Sequence, residues 1–452
     1  MKHYDVIIVG TGQATGTILP DLLKENLSVA TVEADRVGGT CVNWGCTPTK
    51  TLVASARAAH IVNRGAEFGI EISEKRVNFS RVMERVNGIR HSATSGFQSW
   101  LEKETDFYHG TGRFIDENTV AIGETRITGD TIIVHTGARA RKPDVPGVDV
   151  VPWLDNRGLL DLQELPRHLL IVGGSYIGME FGQAFRRLGS EVTILEKGDR
   201  IIFREDPEFS TTAQKVLEKE GVAFNLNSGI TGVEHGPDGI TVSYKQEGET
   251  KKTSGSHILF AVGRLANSDD LNLEAAGVKT DERGFIGVDD HCRTSQPHIY
   301  AVGDVNGKGA FTHTSVHDGQ VFLSHYFQRK ERRISDRIPT YAMYIDPPLA
   351  RVGITATEAE RQGLDYLTGR MEMSAVSRAR EKAETEGLMK VVVEKTTGKI
   401  LGAAVFGVGG DEIIGMIALA MQAGLPYSKL QETVIPHPTV AELVPWIFNN
   451  LK

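Results

Sequence analysis

Residues 5–33, DVIIVGTGQATGTILPDLLKENLSVATVE, and residues 168–196, HLLIVGGSYIGMEFGQAFRRLGSEVTILE, share one pattern. Each is a short apolar run, a glycine-rich turn, an amphipathic stretch, and a second apolar run ending in an acid. The register is common to both: Gly10 to Gly173 and Glu33 to Glu196 are each 163 positions apart. A lone glycine turn says little, whereas strand, turn, helix and strand repeated in step predict two βαβ units, each built for a dinucleotide. Gly10 and Gly173 permit the sharp turn out of the first strand. Gly12 and, less closely, Ser175 let the backbone approach a pyrophosphate at the N-terminus of the next helix, where N–H groups and the dipole favour an anion. Glu33 and Glu196 are placed to accept hydrogen bonds from ribose hydroxyls. Two departures stand out: Thr15 occupies a place usually kept small to pack helix on strand, and Pro20 predicts a bend in the first helix.

Around these units the chain divides by pattern. Two helices are predicted at about 50–64 and 80–104, and the proline-rich Arg141–Gly147 ends a first domain over 1–147. The second unit lies in 148–263. Residues 264–335 alternate strand-like runs with Gly/Asp turns and are expected to return to the first domain. Beyond the charged stretch Arg329–Arg337, residues 336–452 read as an α+β region. Within it, 388–402 is a β-hairpin around a glycine turn and 411–424 a helix. The expected fold is therefore α/β, with two Rossmann-like dinucleotide-binding domains and an α+β C-terminal domain.

Composition removes several classes of function. The 452 residues carry 50 Lys+Arg against 58 Asp+Glu, a net charge of −8, which argues against nucleic acid or an anionic membrane as partner. No apolar run approaches the roughly 20 residues of a membrane span. With 40% hydrophobic residues the chain can bury sizeable cores unaided. The N-terminus runs straight into the strand-like Val6–Val9, so no signal peptide is expected. Three cysteines cannot build a secreted disulfide framework, so a cytoplasmic location is expected. Cys292, beside His291, has no further ligand at metal-site spacing; it reads as a buried free cysteine, and no metal is expected.

The other two cysteines stand in Gly38–Lys50, GGTCVNWGCTPTK. Cys41 and Cys46, beside a glycine turn and entering a helix, can meet only if the first helical turn is distorted. They would then form a strained, reducible disulfide near a helix N-terminus. That dipole and Lys50 are expected to lower the thiol pKa values and favour the thiolate. Alone, the pair reads equally as redox-active or as two small buried hydrophobes. Its place, with Cys41 eight residues after Glu33 and beside a bound dinucleotide, favours the redox reading.

With these residues the chain resembles the class I pyridine nucleotide-disulfide oxidoreductases, which include dihydrolipoamide dehydrogenase, glutathione reductase and mercuric reductase. The resemblance covers nearly the whole chain. Its most specific motif, GGTCxNxGCxPxK, is matched by Gly38, Gly39, Thr40, Cys41, Asn43, Gly45, Cys46, Pro48 and Lys50. Further matches are Thr136-Gly137-Ala138, Tyr176-Ile177-Gly178-Met179-Glu180, Ala261-Val262-Gly263-Arg264 and Tyr300-Ala301-Val302-Gly303-Asp304. Asp346-Pro347, Val352-Gly353 and His437-Pro438-Thr439 with Glu442 complete them.

The resemblance implies FAD in the first unit, NADH or NADPH in the second, and homodimerisation through the C-terminal domain. Cofactor contacts are implied at Gly39, Thr40, Lys50, Gly112, Thr136, Gly137, Gly178, Gly263, Arg264, Gly303 and Thr312, besides the glycines, serine and acids of the two turns. Glu33 would hold the adenosine ribose of FAD, with Asp304 near its ribityl-pyrophosphate. Lys50 would pair with Glu180 beside the flavin N5, and Tyr176 would gate the flavin face. Cys46 would be the charge-transfer thiol and Cys41 the interchange thiol. His437, oriented by Glu442 and contributed by the other subunit, would be their acid–base partner, as an imidazole titrating near neutrality can be.

Hydride would pass from nicotinamide to flavin, and electrons through Cys46 to open the disulfide. Cys41 would then attack a small oxidised substrate: a disulfide, a thiol-reactive electrophile or a metal ion. Glu196 favours NADH, because a carboxylate repels a 2′-phosphate; Lys197, Arg200 and Arg204 lie near enough to soften that preference. Trp44, Thr47 and Thr49 in the redox loop, and the absence of a late cysteine pair, place the chain nearer mercuric-reductase-like and reactive-chlorine-response flavoproteins than dihydrolipoamide dehydrogenase. The alternatives are dihydrolipoamide dehydrogenase itself and a redox-sensing flavoprotein without turnover.

Overall fold

The computed structural model describes residues 1–237 and 239–452. It divides into two compact units, Met1–Thr51, Met83–Lys142 and Val262–Arg337 in the first, and Leu52–Val82, Pro143–Ala261 and Ile338–Lys452 in the second.

The first unit is built on a seven-stranded sheet. Its parallel part runs Asp106–His109, Val29–Glu33, Lys2–Val9 and Thr125–Val134, with Ile299–Ala301 also pairing Thr125–Val134. Strand Lys2–Val9 alternates its side chains between two buried cores: Ile7 and Val9 face one, Val6 and Ile8 the other. A strand covered on both faces has no need of polar residues, which is why DVIIV reads as a continuous apolar run. The returning segment is fixed by Arg264–Ala266, which pairs antiparallel with Ala138–Ala140. Helix Gln13–Lys24 is continuous through Pro20, so the expected bend does not interrupt it.

Among its described residues the second unit holds three sheets. One is parallel, in the order Val222–Asn225, Glu191–Leu195, His168–Val172 and His257–Phe260. The repeat read from sequence is exact in its pairing: Val6 faces Val29 in the first unit, and Leu169 faces Val192 in the second, each 163 residues later. The next sheet is a three-stranded antiparallel one over Gly229–Gly236, Gly239–Gln246 and Glu249–Gly255. The last is five-stranded and antiparallel, with Leu388–Glu394 and Ile400–Phe406 forming the predicted hairpin. Helix Gly410–Gln422 covers it, burying Ile413, Ile414 and Ile417 against Val391, Ala403 and Val405.

A buried charge network explains the Asp346-Pro347 motif. Arg187, 5% exposed, donates two 2.7 Å hydrogen bonds to Glu220 and also pairs with Asp346. Gln183 donates to the Asp346 carbonyl and accepts from its N–H. Removing one partner of such a buried pair costs about 3–5 kcal/mol, because a charge is left stranded. No helix among the described residues is long and apolar enough to cross a membrane.

Candidate active site

The two glycine turns are built alike. Gly10 N–H donates to Val32 O and Gly173 N–H to Leu195 O, both at 2.8 Å and both with the glycine at positive φ, +100° and +111°. A side chain at either would strike the backbone of the neighbouring strand's end, His135 O or Ala261 O. The terminal acids close the turns: Thr11 N–H donates to Glu33 Oε2 at 3.0 Å, and Gly174 N–H to Glu196 Oε2 at 2.7 Å. Glu196 also accepts from Gly198 N–H at 2.8 Å, so its carboxylate is held over the second turn. Of the cations expected to soften that charge, Arg200 donates to Phe203 O and Arg204 lies against the Phe203 ring.

The redox loop differs from its expected geometry. Cys41 and Cys46 do not share a distorted helical turn. Cys41 lies in the short helix Gly39–Asn43, and Cys46 opens a separate helix, Cys46–Asn63. Between them Trp44 leaves the helical region at φ −143°, and Gly45 packs so closely that a Cβ there would lie 2.8 Å from Thr40 O. Trp44 is buried beneath the Arg36 guanidinium. Asn43 holds the loop from beneath, donating to Val37 O at 2.9 Å and Gly39 O at 3.1 Å.

The two thiols hydrogen-bond to each other. Cys46 is exposed, with Sγ 3.3 Å from Thr312 Oγ1. The expected lowering of thiol pKa does not hold for Cys41. Its hydrogen bond to Cys46, burial, and the repulsion of charge on Cys46 together push it up, against smaller opposing effects of Thr312 and Lys50. Negative charge in the reduced pair therefore belongs first to Cys46, at the head of its helix.

The other predicted residues take these places. Asp304, nearly buried, has its carboxyl pushed up by burial, with Arg264 3.6 Å away. Thr136 Oγ1 donates to Asn267 O at 2.6 Å. Gly112 packs against Val9, Val32 and Val120 in the first unit's core. Tyr176 starts helix Tyr176–Leu188, on which the buried Glu180 accepts from Tyr344 N–H at 2.8 Å. Lys50, half-buried, lies one turn after Cys46. In the C-terminal region Thr439 Oγ1 donates to Pro436 O and accepts from Glu442 N–H. That turn sets Glu442 2.8 Å from His437 Nδ1. Cys292 is fully buried. No group of three or more His, Cys, Asp or Glu among the described residues is arranged to hold a metal.

The first unit's residues fit FAD. A Cβ at Gly137 or Gly263 would meet open space, the Glu33 carboxylate closes one turn, and the buried Arg264 Nε has no hydrogen-bond partner. Sequence reading missed His135, whose buried ring touches both Gly12 and Gly303. Its signal was a polar residue ending the apolar run Ile132-Ile133-Val134.

Residues 4–319 match the pyridine nucleotide-disulphide oxidoreductase family and residues 339–448 that family's dimerisation domain. The chain belongs to this family: it is a flavoprotein disulfide oxidoreductase that uses FAD and NAD(P)H. It is 33% identical to the probable pyridine nucleotide-disulfide oxidoreductase RclA of Escherichia coli, over all of both chains. It is 32% identical to a mercuric reductase of Bacillus cereus, covering 97% of this chain and 70% of that one. To a dihydrolipoyl dehydrogenase of Geobacillus stearothermophilus it is 31% identical, covering 97% and 94%. The structure of the HOCl-induced flavoprotein disulfide reductase RclA from Escherichia coli superposes with a TM-score of 0.90 at 32% identity, covering 99% of each chain.

Proposed function

We propose that this chain oxidises NADH and delivers the electrons, through Cys41 and Cys46, to a small thiol-reactive oxidant or disulfide, as an RclA-like reductase. The observation that carries the reading is the thiol pair: two mutually hydrogen-bonded cysteines, Cys41 half-buried with its pKa pushed up, Cys46 exposed at a helix start. FAD, when bound, supplies the two-electron relay from nicotinamide to sulfur.

The chain's own residues do the remaining chemistry. Reduction of the Cys41–Cys46 disulfide by two electrons and one proton leaves a thiol on Cys41 and a thiolate on Cys46. Thr312 donates to that thiolate. His437 of the partner subunit, its Nδ1–H held by a carboxylate, removes the Cys41 proton through Nε2. The Cys41 thiolate attacks one sulfur of the substrate RSSR, and the leaving RS⁻ takes the proton back from the imidazole. Cys46 thiolate then attacks the Cys41 sulfur, closing the disulfide and releasing the second RS⁻, which solvent protonates. The sum is NADH + H⁺ + RSSR → NAD⁺ + 2 RSH. Tyr176 takes the part of the nicotinamide gate, and Lys50 and Glu180 tune the flavin. A cysteine pair that cycles between dithiol and disulfide suits a reducing compartment such as the cytoplasm.

A steady-state panel with NADH tests this reading: lipoamide, glutathione disulfide, hypothiocyanite, Hg(II), Cu(II) and quinones. Turnover with a small oxidised-thiol or electrophilic acceptor is expected. Preferential turnover of lipoamide would move the chain to dihydrolipoyl dehydrogenase chemistry, and no turnover with any acceptor would make it a sensor.

A further inference from the structure

His135 follows the buried strand Thr125–Val134 and is 6% exposed. Its Nδ1 lies 3.2 Å from Thr15 Oγ1, and its Nε2 3.0 Å from Ser315 Oγ. These partners sit in the first turns of helices Gln13–Lys24 and Thr312–Tyr326. The ring also backs two turns: a Cβ on Gly12 would come within 2.8 Å of its Cε1, and one on Gly303 within 3.1 Å of its Cδ2. Burial holds its pKa down to about 4, so at neutral pH it is uncharged, one nitrogen donating and the other accepting.

The second βαβ unit is an internal control. Adding 163 to Thr15 gives Gly178, and the residue that backs Gly173 as His135 backs Gly10 is Ala261. There the helix closes directly on the turn, and any Cβ at Gly178 would collide with Gly173 O. In the first unit Thr15 stands at that place, and its hydroxyl reaches Gly10 O at 3.2 Å as well as the imidazole. A small–small contact has been replaced by a hydrogen-bonded, space-filling one.

We propose that His135 is a positioning residue for FAD: the Thr15–His135–Ser315 chain ties two helix N-termini together behind Gly12 and Gly303 and fixes the N–H groups that receive the pyrophosphate. This rests on FAD occupying the first unit. The ring touches no substrate and takes no part in the thiol chemistry; it holds the cradle rigid.

The test uses purified holoenzyme with His135→Ala, His135→Asn, Thr15→Gly and the double variant Thr15→Gly/His135→Ala, which copies the second unit's pair. FAD release is followed by the rise of flavin fluorescence on dilution, and unfolding by circular dichroism. His135→Ala is expected to release FAD about tenfold faster at temperatures where the protein stays folded, with His135→Asn intermediate. The double variant is expected to regain most of the retention, a coupling that separate sites lack. If His135→Ala alone does not fold, the double variant decides: folded with FAD retained supports the proposal, folded with FAD lost overturns it. Unchanged release in His135→Ala, release that only tracks the unfolding temperature, or additive effects in the double variant would also overturn it. Wild-type protein purified without FAD would instead count against the cofactor assignment.

Discussion

Glu442 accepts a 2.8 Å hydrogen bond from His437 Nδ1, with the carboxylate side chain 13% exposed and the imidazole 76% exposed. A half-buried carboxylate thus fixes one nitrogen of an outward-facing ring and leaves the other to exchange a proton. The domain that carries this pair also exposes Val434, Leu419 and Trp446, apolar side chains suited to burial in a homodimer.

Replacing His437 with alanine should slow disulfide turnover by about 10²–10⁴-fold, the usual worth of a general acid–base group. Glu442→Gln, which keeps a hydrogen-bonding side chain, should cost less. Stopped-flow reduction of the flavin by NADH should be unchanged in both. Loss confined to that first half-reaction would contradict the assigned role.

Thr312→Val removes the hydroxyl 3.3 Å from Cys46 Sγ. A hydrogen bond to a charged group contributes about 1.5–3 kcal/mol, so alkylation of the reduced pair should shift to higher pH by about one unit or more. The sign follows from the loss of a donor that favours the thiolate. Iodoacetamide rates measured against pH supply the check, and an unmoved profile would remove Thr312 from the site.

Much of this was legible in the sequence because the repeat leaves a rigid imprint. Val6–Val29 and Leu169–Val192 pair as the 163-residue offset requires, and the hairpin at 388–402 forms. The HPT…E motif is a local turn closed by Thr439, so its geometry follows from neighbours in the chain. What escaped depends on packing within the redox loop and on contacts distant in sequence. The break at Trp44–Gly45 sets Cys41 and Cys46 on separate helices, and mutual hydrogen bonding and burial reverse the pKa shift expected for Cys41. His135 was overlooked because its partners, Thr15 and Ser315, lie 120 and 180 residues away.

Glu205 gives a pH dependence of stability. It is 4% exposed, and burial raises its pKa to about 7 although Arg351 Nε lies 3.4 Å away, an ion pair without hydrogen-bond geometry. Between the ordinary value of 4.5 and about 7 the folded state binds the extra proton, so this residue's contribution falls as pH rises through that window. Glu205→Gln should raise the unfolding temperature more at pH 8 than at pH 5. Equal effects at the two pH values would contradict the shift.

Glu196, fixed by Gly174 and Gly198 N–H groups, should make kcat/KM for NADH exceed that for NADPH by about tenfold or more, since its charge repels a 2′-phosphate. Glu196→Ala should narrow the ratio. A wild-type preference for NADPH would reverse the assignment.

The central claim, that electrons leave through the Cys41–Cys46 pair, is tested most directly by Cys41→Ser. The purified variant should retain FAD, its flavin should still be reduced by NADH, and turnover of the disulfide or electrophilic acceptor should disappear. Turnover at the wild-type rate in Cys41→Ser would contradict the account.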